Sequence, residues 1–430
     1  MRGVVVSTCG QAAATVDPRG EPGAAGLVIA FRAGSTYESD DTNGVSHLCE
    51  HLILGDGHPE GLAAAIEECG GVGGGVTSRD FLAMYAKIPS DRLEDALEAC
   101  LISLARFHQD PNKDLNTGER LAAARQTVEH EIRLRDVNPR DRALDAWFAS
   151  VWAGHPLSLP PVGSLPSVRQ LPEAEITRTA QLYLNGRNMV VVCVGDVDLD
   201  ALAQRMSTKV PCFGEEAEAV ADPLTAAVGA AGPVFTHGIG SLTHVVLGFA
   251  GMPIAAREAH VLKVIGALLG GTRGSRLSEL RFRGGVYSLN TFVENYCCGS
   301  AFIIHTACDP AELGTILHRI GRELVAVRRG EIGSAELAQI QRYLKGKAAL
   351  EADDVLTRAT AIARRALYAT SDNQDPAAHP VFSAVGVEDV VCLAHQVLDP
   401  ARFCVVFAGA VNEPMAEDAF QRFQDALGVH

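Results

Sequence analysis

The chain has 430 residues, more than one hydrophobic core accommodates, so two or more domains are expected. Its 47% hydrophobic and 21% charged residues exclude a disordered chain, and no apolar run approaches the length of a membrane-spanning helix. A formal net charge of −15 without a Lys/Arg-rich segment leaves no basic footprint for nucleic acid or for an anionic membrane.

Taken in chain order, the first residues lack the apolar core and cleavage site of a secretory signal, which makes a cytoplasmic location the expectation. Val28 to Gly34 reads as a buried strand with a glycine exit. Gly44 and Ser46 suit the start of a helix that carries His47-Leu48-Cys49-Glu50-His51. Residues 59–69 have helical spacing and stop at Gly70-Gly71, 76–88 alternate as strands do, and 92–107 and 119–136 are long helical segments. Leu184 to Val197 is a polar turn, a valine-rich strand and another glycine exit. Residues 215–232 are rich in Ala, Gly and Glu and lack aromatics, as a solvent-exposed linker does.

Beyond that linker the pattern recurs. Val245 to Gly251 parallels Val28 to Gly34, and Leu398 to Val411 parallels Leu184 to Val197, at nearly the same offset. The expectation is a duplicated α+β fold of two homologous domains, each a mostly antiparallel sheet with helices packed on one face. The boundaries expected are 1–214 for the first domain, 215–232 for the linker and 233–430 for the second domain. The eleven cysteines are scattered without a CxxC pair, so buried thiols in a reducing compartment are expected rather than a thiolate metal site.

The motif His47-Leu48-Cys49-Glu50-His51 carries the chemistry. On a helix His47, Glu50 and His51 share a face, and imidazoles one turn apart both reach one zinc ion at about 2.0–2.1 Å. The same residues also suit a plain polar helix face. A catalytic zinc takes three protein ligands and keeps one position open. The segment from Val128 to Pro139 supplies candidates for the third. There Glu131 lies between apolar Val128, Ile132 and Leu134, a setting that fits the edge of a buried face as well as a ligand.

H-x-x-E-H is the inverted zinc motif of the inverzincins, and the surrounding sequence resembles the pitrilysin-type M16 peptidases. The M16B branch, which includes mitochondrial processing peptidase, is the most similar. The likeness extends over Gly34-Ser-Thr-Tyr-Glu-Ser39, Gly70-Gly71, Thr77-Ser78-Arg79-Asp80, Glu131-Ile132 with Asp136 and Pro139, and Asn188-Met-Val-Val191. In the second half it includes Gly270-Gly271 to Leu277, Leu280-Arg281 and Val286-Tyr287-Ser288. The resemblance implies His47, His51 and Glu131 as ligands of one Zn2+ per chain and Glu50 as the general base of peptide hydrolysis. It also implies that Arg281 and Tyr287, from the second half, hold substrate or stabilise the oxyanion, and that the strand edge at Gly74 receives the substrate backbone. A peptide substrate and a clamshell built as a homodimer, or as a heterodimer with a related M16 subunit, are the partners implied. Nucleic acid and membrane are not.

Three departures qualify the resemblance. Ala124 stands where the family often places a carboxylate near the metal, Gly74-Gly75 replaces the usual Asn-Ala, and the interval from Arg281 to Tyr287 is one residue short. In the second half the corresponding helix reads His260-Val-Leu-Lys263-Val264, without the base and the second histidine. A weakly active or inactive subunit serving as a binding or structural partner of a paired homologue is therefore the alternative reading. Asp80, Cys49, His130, His108, His155 and His260 are expected to be structural.

Overall fold

The computed structural model describes residues 2–8, 11–15, 23–55, 61–109, 118–196, 220, 221, 223–227, 232–237, 240–254, 256–282, 285–368, 381–400 and 402–428. The expected linker at 215–232 falls largely outside these described residues. The first half contributes strands β1 (Arg2–Thr8), β2 (Gln11–Thr15) and β3 (Ala24–Phe31), helices α1 (Val45–Leu54) and α2 (Leu62–Glu68), and strands β4 (Val72–Thr77) and β5 (Leu82–Pro89). Helices α3 (Leu93–Gln109), α4 (Gly118–Val137), α5 (Pro139–Val151), α6 (Leu165–Gln170) and α7 (Glu173–Tyr183) follow, closed by β6 (Met189–Asp196). The second half runs through β7 (Gly232–His237), β8 (Thr243–Gly251), α8 (Ala256–Leu269), α9 (Ser278–Phe282), β9 (Val286–Tyr296) and β10 (Gly299–Cys308). It ends with α10 (Leu313–Arg328), α11 (Ser334–Asp353), α12 (Val355–Leu367), α13 (Val387–Val397), β11 (Phe403–Gly409) and α14 (Glu413–Leu427).

These elements form two compact units. The first comprises Met1–Ile132, Pro160–Asp222 and Ala349–His379, and the second Arg133–Leu159, Pro223–Ala348 and Pro380–His430. The first unit holds a fully antiparallel six-stranded sheet in the order β2-β1-β6-β3-β5-β4. Leu27, Ile29, Phe31, Met84 and Val191 point from one face of it into the core beneath α1, α2, α3 and α7. The alternate residues Val28, Ala30, Val190, Val192 and Val194 meet Val355, Ala359, Ile362 and Ala363 of α12 on the other face. Coverage on both faces explains why β6 is an unbroken apolar run instead of an alternating one. Burying one such side chain is worth about 1.5–3 kcal/mol, so the α12 stripe contributes on the order of several kcal/mol.

The second unit has the order β7-β11-β8-β10-β9, with only β7 and β11 parallel. One face covers a core shared with α8, α10, α13 and α14. The other face meets Trp147, Phe148 and Val151 of α5, and the Trp147 indole N–H donates to the Cys404 carbonyl at 3.1 Å. The α+β class and the mostly antiparallel sheets follow the sequence pattern. The addition is a helix on the second face of each sheet, and in both units that helix comes from the other half of the chain. Glycine makes both close approaches possible: a Cβ at Gly26 would stand 2.5 Å from the Val355 carbonyl oxygen, and one at Gly248 2.6 Å from the Trp147 ring.

Candidate metal centre

Every residue of α1 is buried, which requires that its polar side chains find partners inside the first unit. The helix begins at Gly44 without a side-chain cap of its own. Glu38 caps it from outside: its carboxylate accepts from the N–H groups of Gly44 at 2.8 Å and Ser46 at 2.9 Å, and from the Asn43 amide at 3.1 Å. Burial pushes the Glu38 carboxyl up from its ordinary value, and the hydrogen bonds from Ser46, Gly44 and Asn43 oppose the shift. A carboxylate at a helix N-terminus also complements the helix dipole. The Ser46 hydroxyl accepts from the Gly34 N–H at 3.1 Å, tying the helix start to the end of β3. Beside it, α4 is held to the far end of α1 by Arg120, which donates to the Leu52 carbonyl at 3.4 Å. It is held to α6 by Arg169, which pairs with Glu129 at 2.7 Å.

This scaffold brings His47, His51 and Glu131 together, with one ligand atom of each within 4.8 Å of the others. Among the described residues it is the one group of three or more potential metal ligands. The two Nε2 atoms face each other at 3.3 Å, and Glu131 lies 2.8 Å from His47 Nε2 and 3.6 Å from His51 Nε2. Two nitrogens held at about 2.05 Å by one tetrahedral ion stand about 3.3 Å apart, so the observed separation suits zinc. Burial alone would lower the His47 pKa, but the hydrogen bonds and charges of Glu131 and Glu50 raise it to about 9. The same contacts from His47 and His51 hold the Glu131 carboxyl well below its usual range. The pull of the carboxylates on a proton is the pull they would exert on a metal cation.

Glu50 lies beside this group. Its Oε2 is 3.3 Å from His47 Nδ1 and accepts a short hydrogen bond from the Thr77 hydroxyl on β4. Its Oε1 leans over Gly75, where a Cβ would stand only 2.5 Å away. Gly75 of β4 thus makes room for a carboxylate.

Residues 13–163 match the family model described as insulinase (peptidase family M16), and residues 171–344 match that of the peptidase M16 inactive domain. The chain belongs to peptidase family M16. Similar relatives are named uncharacterized zinc proteases. One from Mycobacterium leprae is 26% identical over 85% of this chain and 82% of its own length, and one from Bacillus subtilis is 21% identical over 89% and 92%. A protease from Helicobacter pylori has a similar structure, with a TM-score of 0.81 at 20% identity over 95% of this chain and 100% of that one. The peptidase M16 inactive domain from Pseudomonas fluorescens also scores 0.81, at 19% identity over 96% and 98%. At such identities the structural likeness speaks for the fold.

The remaining residues of this M16 chain singled out by sequence are placed as follows. Arg281 lies on the short α9 and Tyr287, 79% exposed, on β9, both in the second unit. Gly74 lies on β4, the edge strand of the first sheet. Ala124 is buried in the apolar core with Leu121 and Val128. His130 points to solvent and donates to the Gln126 carbonyl. The Cys49 thiol is buried against the Ile176 carbonyl, and burial pushes its pKa up. His108 donates to the Ala180 carbonyl, His155 to the Leu224 carbonyl, and His260 packs against Phe382. The carbonyl of buried Asp80 accepts from the Tyr368 hydroxyl. Sequence reasoning missed Glu38 and Thr77 as partners of the motif helix. Both stood in the quoted segments, but nothing local shows that a carboxylate nine residues before His47 returns to cap its helix. No helix among the described residues is long and apolar enough to cross a membrane.

Proposed function

We propose that the protein is a zinc-dependent endopeptidase that hydrolyses bonds in short or unfolded peptides, with His47, His51 and Glu131 as ligands of one zinc ion per chain. The observation that carries this reading is the convergence of those three side chains within 4.8 Å, beside a buried carboxylate. Zinc held there supplies Lewis acidity, polarising the scissile carbonyl and lowering the pKa of water to about 7. Glu50 is the general base. Thr77 and His47 hold Oε2, so Oε1, against the β4 edge, takes the proton of the attacking water. The same carboxyl then delivers the proton to the leaving amine nitrogen. His47 binds through Nε2 and donates its Nδ1–H to Glu50, which fixes its tautomer. Arg281 and Tyr287 are proposed to hold substrate or steady the oxyanion, and the β4 edge at Gly74 to receive the peptide backbone. The relevant branch is M16B, and the working form is a homodimer or a pair with a related subunit, located in the cytoplasm.

Ala124 favours a second reading, a weakly active or structural subunit, because its methyl joins the core where a carboxylate would support the ligands. Metal analysis with peptide cleavage separates the two. The expected result is about one zinc per chain and cleavage of unfolded peptides that Glu50→Gln abolishes. Failure to bind zinc would remove the ligand assignment. Zinc without cleavage would favour the structural subunit.

A further inference from the structure

Resting on the proposed peptidase reading, we infer that the Tyr85 hydroxyl is a specificity-determining group that selects a hydrogen-bonding side chain at one position of the substrate. β4 is an edge strand that, among the described residues, pairs only with β5. Its sequence Val72-Gly-Gly-Gly-Val-Thr77 carries no proline and no charged residue of the kind that protects exposed edges. A glycine run on such an edge permits close approach of another backbone. At its far end the strand touches Glu50, so a peptide added along it passes the proposed general base.

Side chains of an added strand alternate between the two faces of the sheet. Those abreast of Gly75 turn toward Glu50. The one abreast of Gly74 turns to the opposite face, where Tyr85 stands directly across from Gly74 in the β4–β5 register. A Cβ at Gly74 would stand 3.0 Å from Tyr85 Oη and 3.3 Å from Cζ, so the phenol lies over the bare glycine. The Tyr85 hydroxyl has no hydrogen-bond partner among the described residues. An added strand would run about 4.8 Å from β4, which brings the first polar atoms of its side chain within hydrogen-bond reach of that hydroxyl. The phenol both donates and accepts, so it favours Ser, Thr, Asn or Gln over Ala, Val or Leu. A side chain at position 74 would shield the hydroxyl. Aromatic cover of an edge glycine also stabilises a sheet by packing alone, and the test must separate that role from selection.

The test digests peptides from reduced, alkylated serum albumin with the full chain and reads the residues flanking each cut by mass spectrometry. In the unaltered protein one position, and only one, is expected to favour hydroxyl and carboxamide side chains about fivefold over aliphatic ones. Tyr85→Phe removes that preference and leaves the other positions unchanged, and Gly74→Ala weakens the same position. An unchanged profile in Tyr85→Phe, or an equal loss at every position with a lowered melting temperature, overturns the inference. In parallel, the same peptides are retained on Glu50→Gln and on Glu50→Gln/Tyr85→Phe and their sequences compared. This arm reads the preference without cleavage. Absence of cleavage with a Tyr85-dependent retention preference therefore counts against the peptidase reading alone, and no such preference in either arm counts against Tyr85.

Discussion

Thr77 reaches Glu50 across a gap that no local pattern in the sequence announces, 27 residues apart along the chain. A hydroxyl donating to a carboxylate contributes about 1.5–3 kcal/mol, so Thr77→Val should lower kcat about tenfold or more. Thr77→Ser should restore most of it, and zinc content measured by atomic absorption should not change in either. A second residue-scale prediction concerns a pair of histidines in the second unit. His305 is buried, its Nδ1 has no partner among the described residues, and its Nε2 lies 3.3 Å from His244 Nδ1. Burial, with the charges of His244 and Arg140, pushes its pKa down to about 3. Between that value and the unfolded value of about 6.5, the unfolded chain binds a proton that the native chain refuses. His305 therefore costs nothing above about pH 6.5, and stability falls as the pH drops below it, by about 1.4 kcal/mol per pH unit. Urea unfolding from pH 7.5 to 5 should show this slope and a shallower one in His305→Leu. Of the residues in the site, His47, Glu50 and His51 were legible because helical spacing and a motif are local, whereas Glu131, 84 residues after His47, was implied only by the family resemblance. Thr77 and Glu38 needed the fold.

Helix α1 is the element on which the site depends, and its start is held by one side chain outside it. Glu38→Ala would leave the Gly44 and Ser46 N–H groups buried without their acceptor, while the Asn43 amide keeps the Pro160 carbonyl at 3.0 Å. Each such loss costs about 1–3 kcal/mol, so the variant should lose about 2 kcal/mol or more in urea unfolding. Its zinc affinity, read by competition with a chelating dye, should fall with it, because the first turn orients His47. Glu38→Gln keeps one acceptor oxygen and should lie between. Element recognition from sequence was uneven for physical reasons. The stop after α2 was legible in Gly70-Gly71: Gly70 adopts a φ of 73°, and its N–H donates to the Glu67 carbonyl at 2.8 Å. The strand expected from residue 76 begins at Val72, because three successive glycines carry no strand preference and mimic a loop. Here the pairing with β5, not the local sequence, makes the strand.

At the scale of the whole molecule, duplication was readable from the repeated strands, but the exchange of α5 and α12 was not. An apolar stripe such as that of α12 shows that a helix needs cover without saying which sheet provides it. The exchange predicts that neither half folds by itself. A fragment of residues 1–232 would expose Val28, Ala30, Val190, Val192 and Val194, an apolar face that promotes aggregation. It should be insoluble when expressed singly, and co-expression with 233–430 should restore soluble, zinc-binding protein, as read by gel filtration and metal content. A soluble, monomeric 1–232 that binds zinc would refute this. The exchange also bears on descent. Once two copies of an ancestral domain have traded a helix, each is free to change at any position that does not cover the other, while deletion of either copy would uncover a sheet of its sister. Selection is therefore obliged to keep both gene segments whatever chemistry either one carries, because the inheritance of each copy runs through the other.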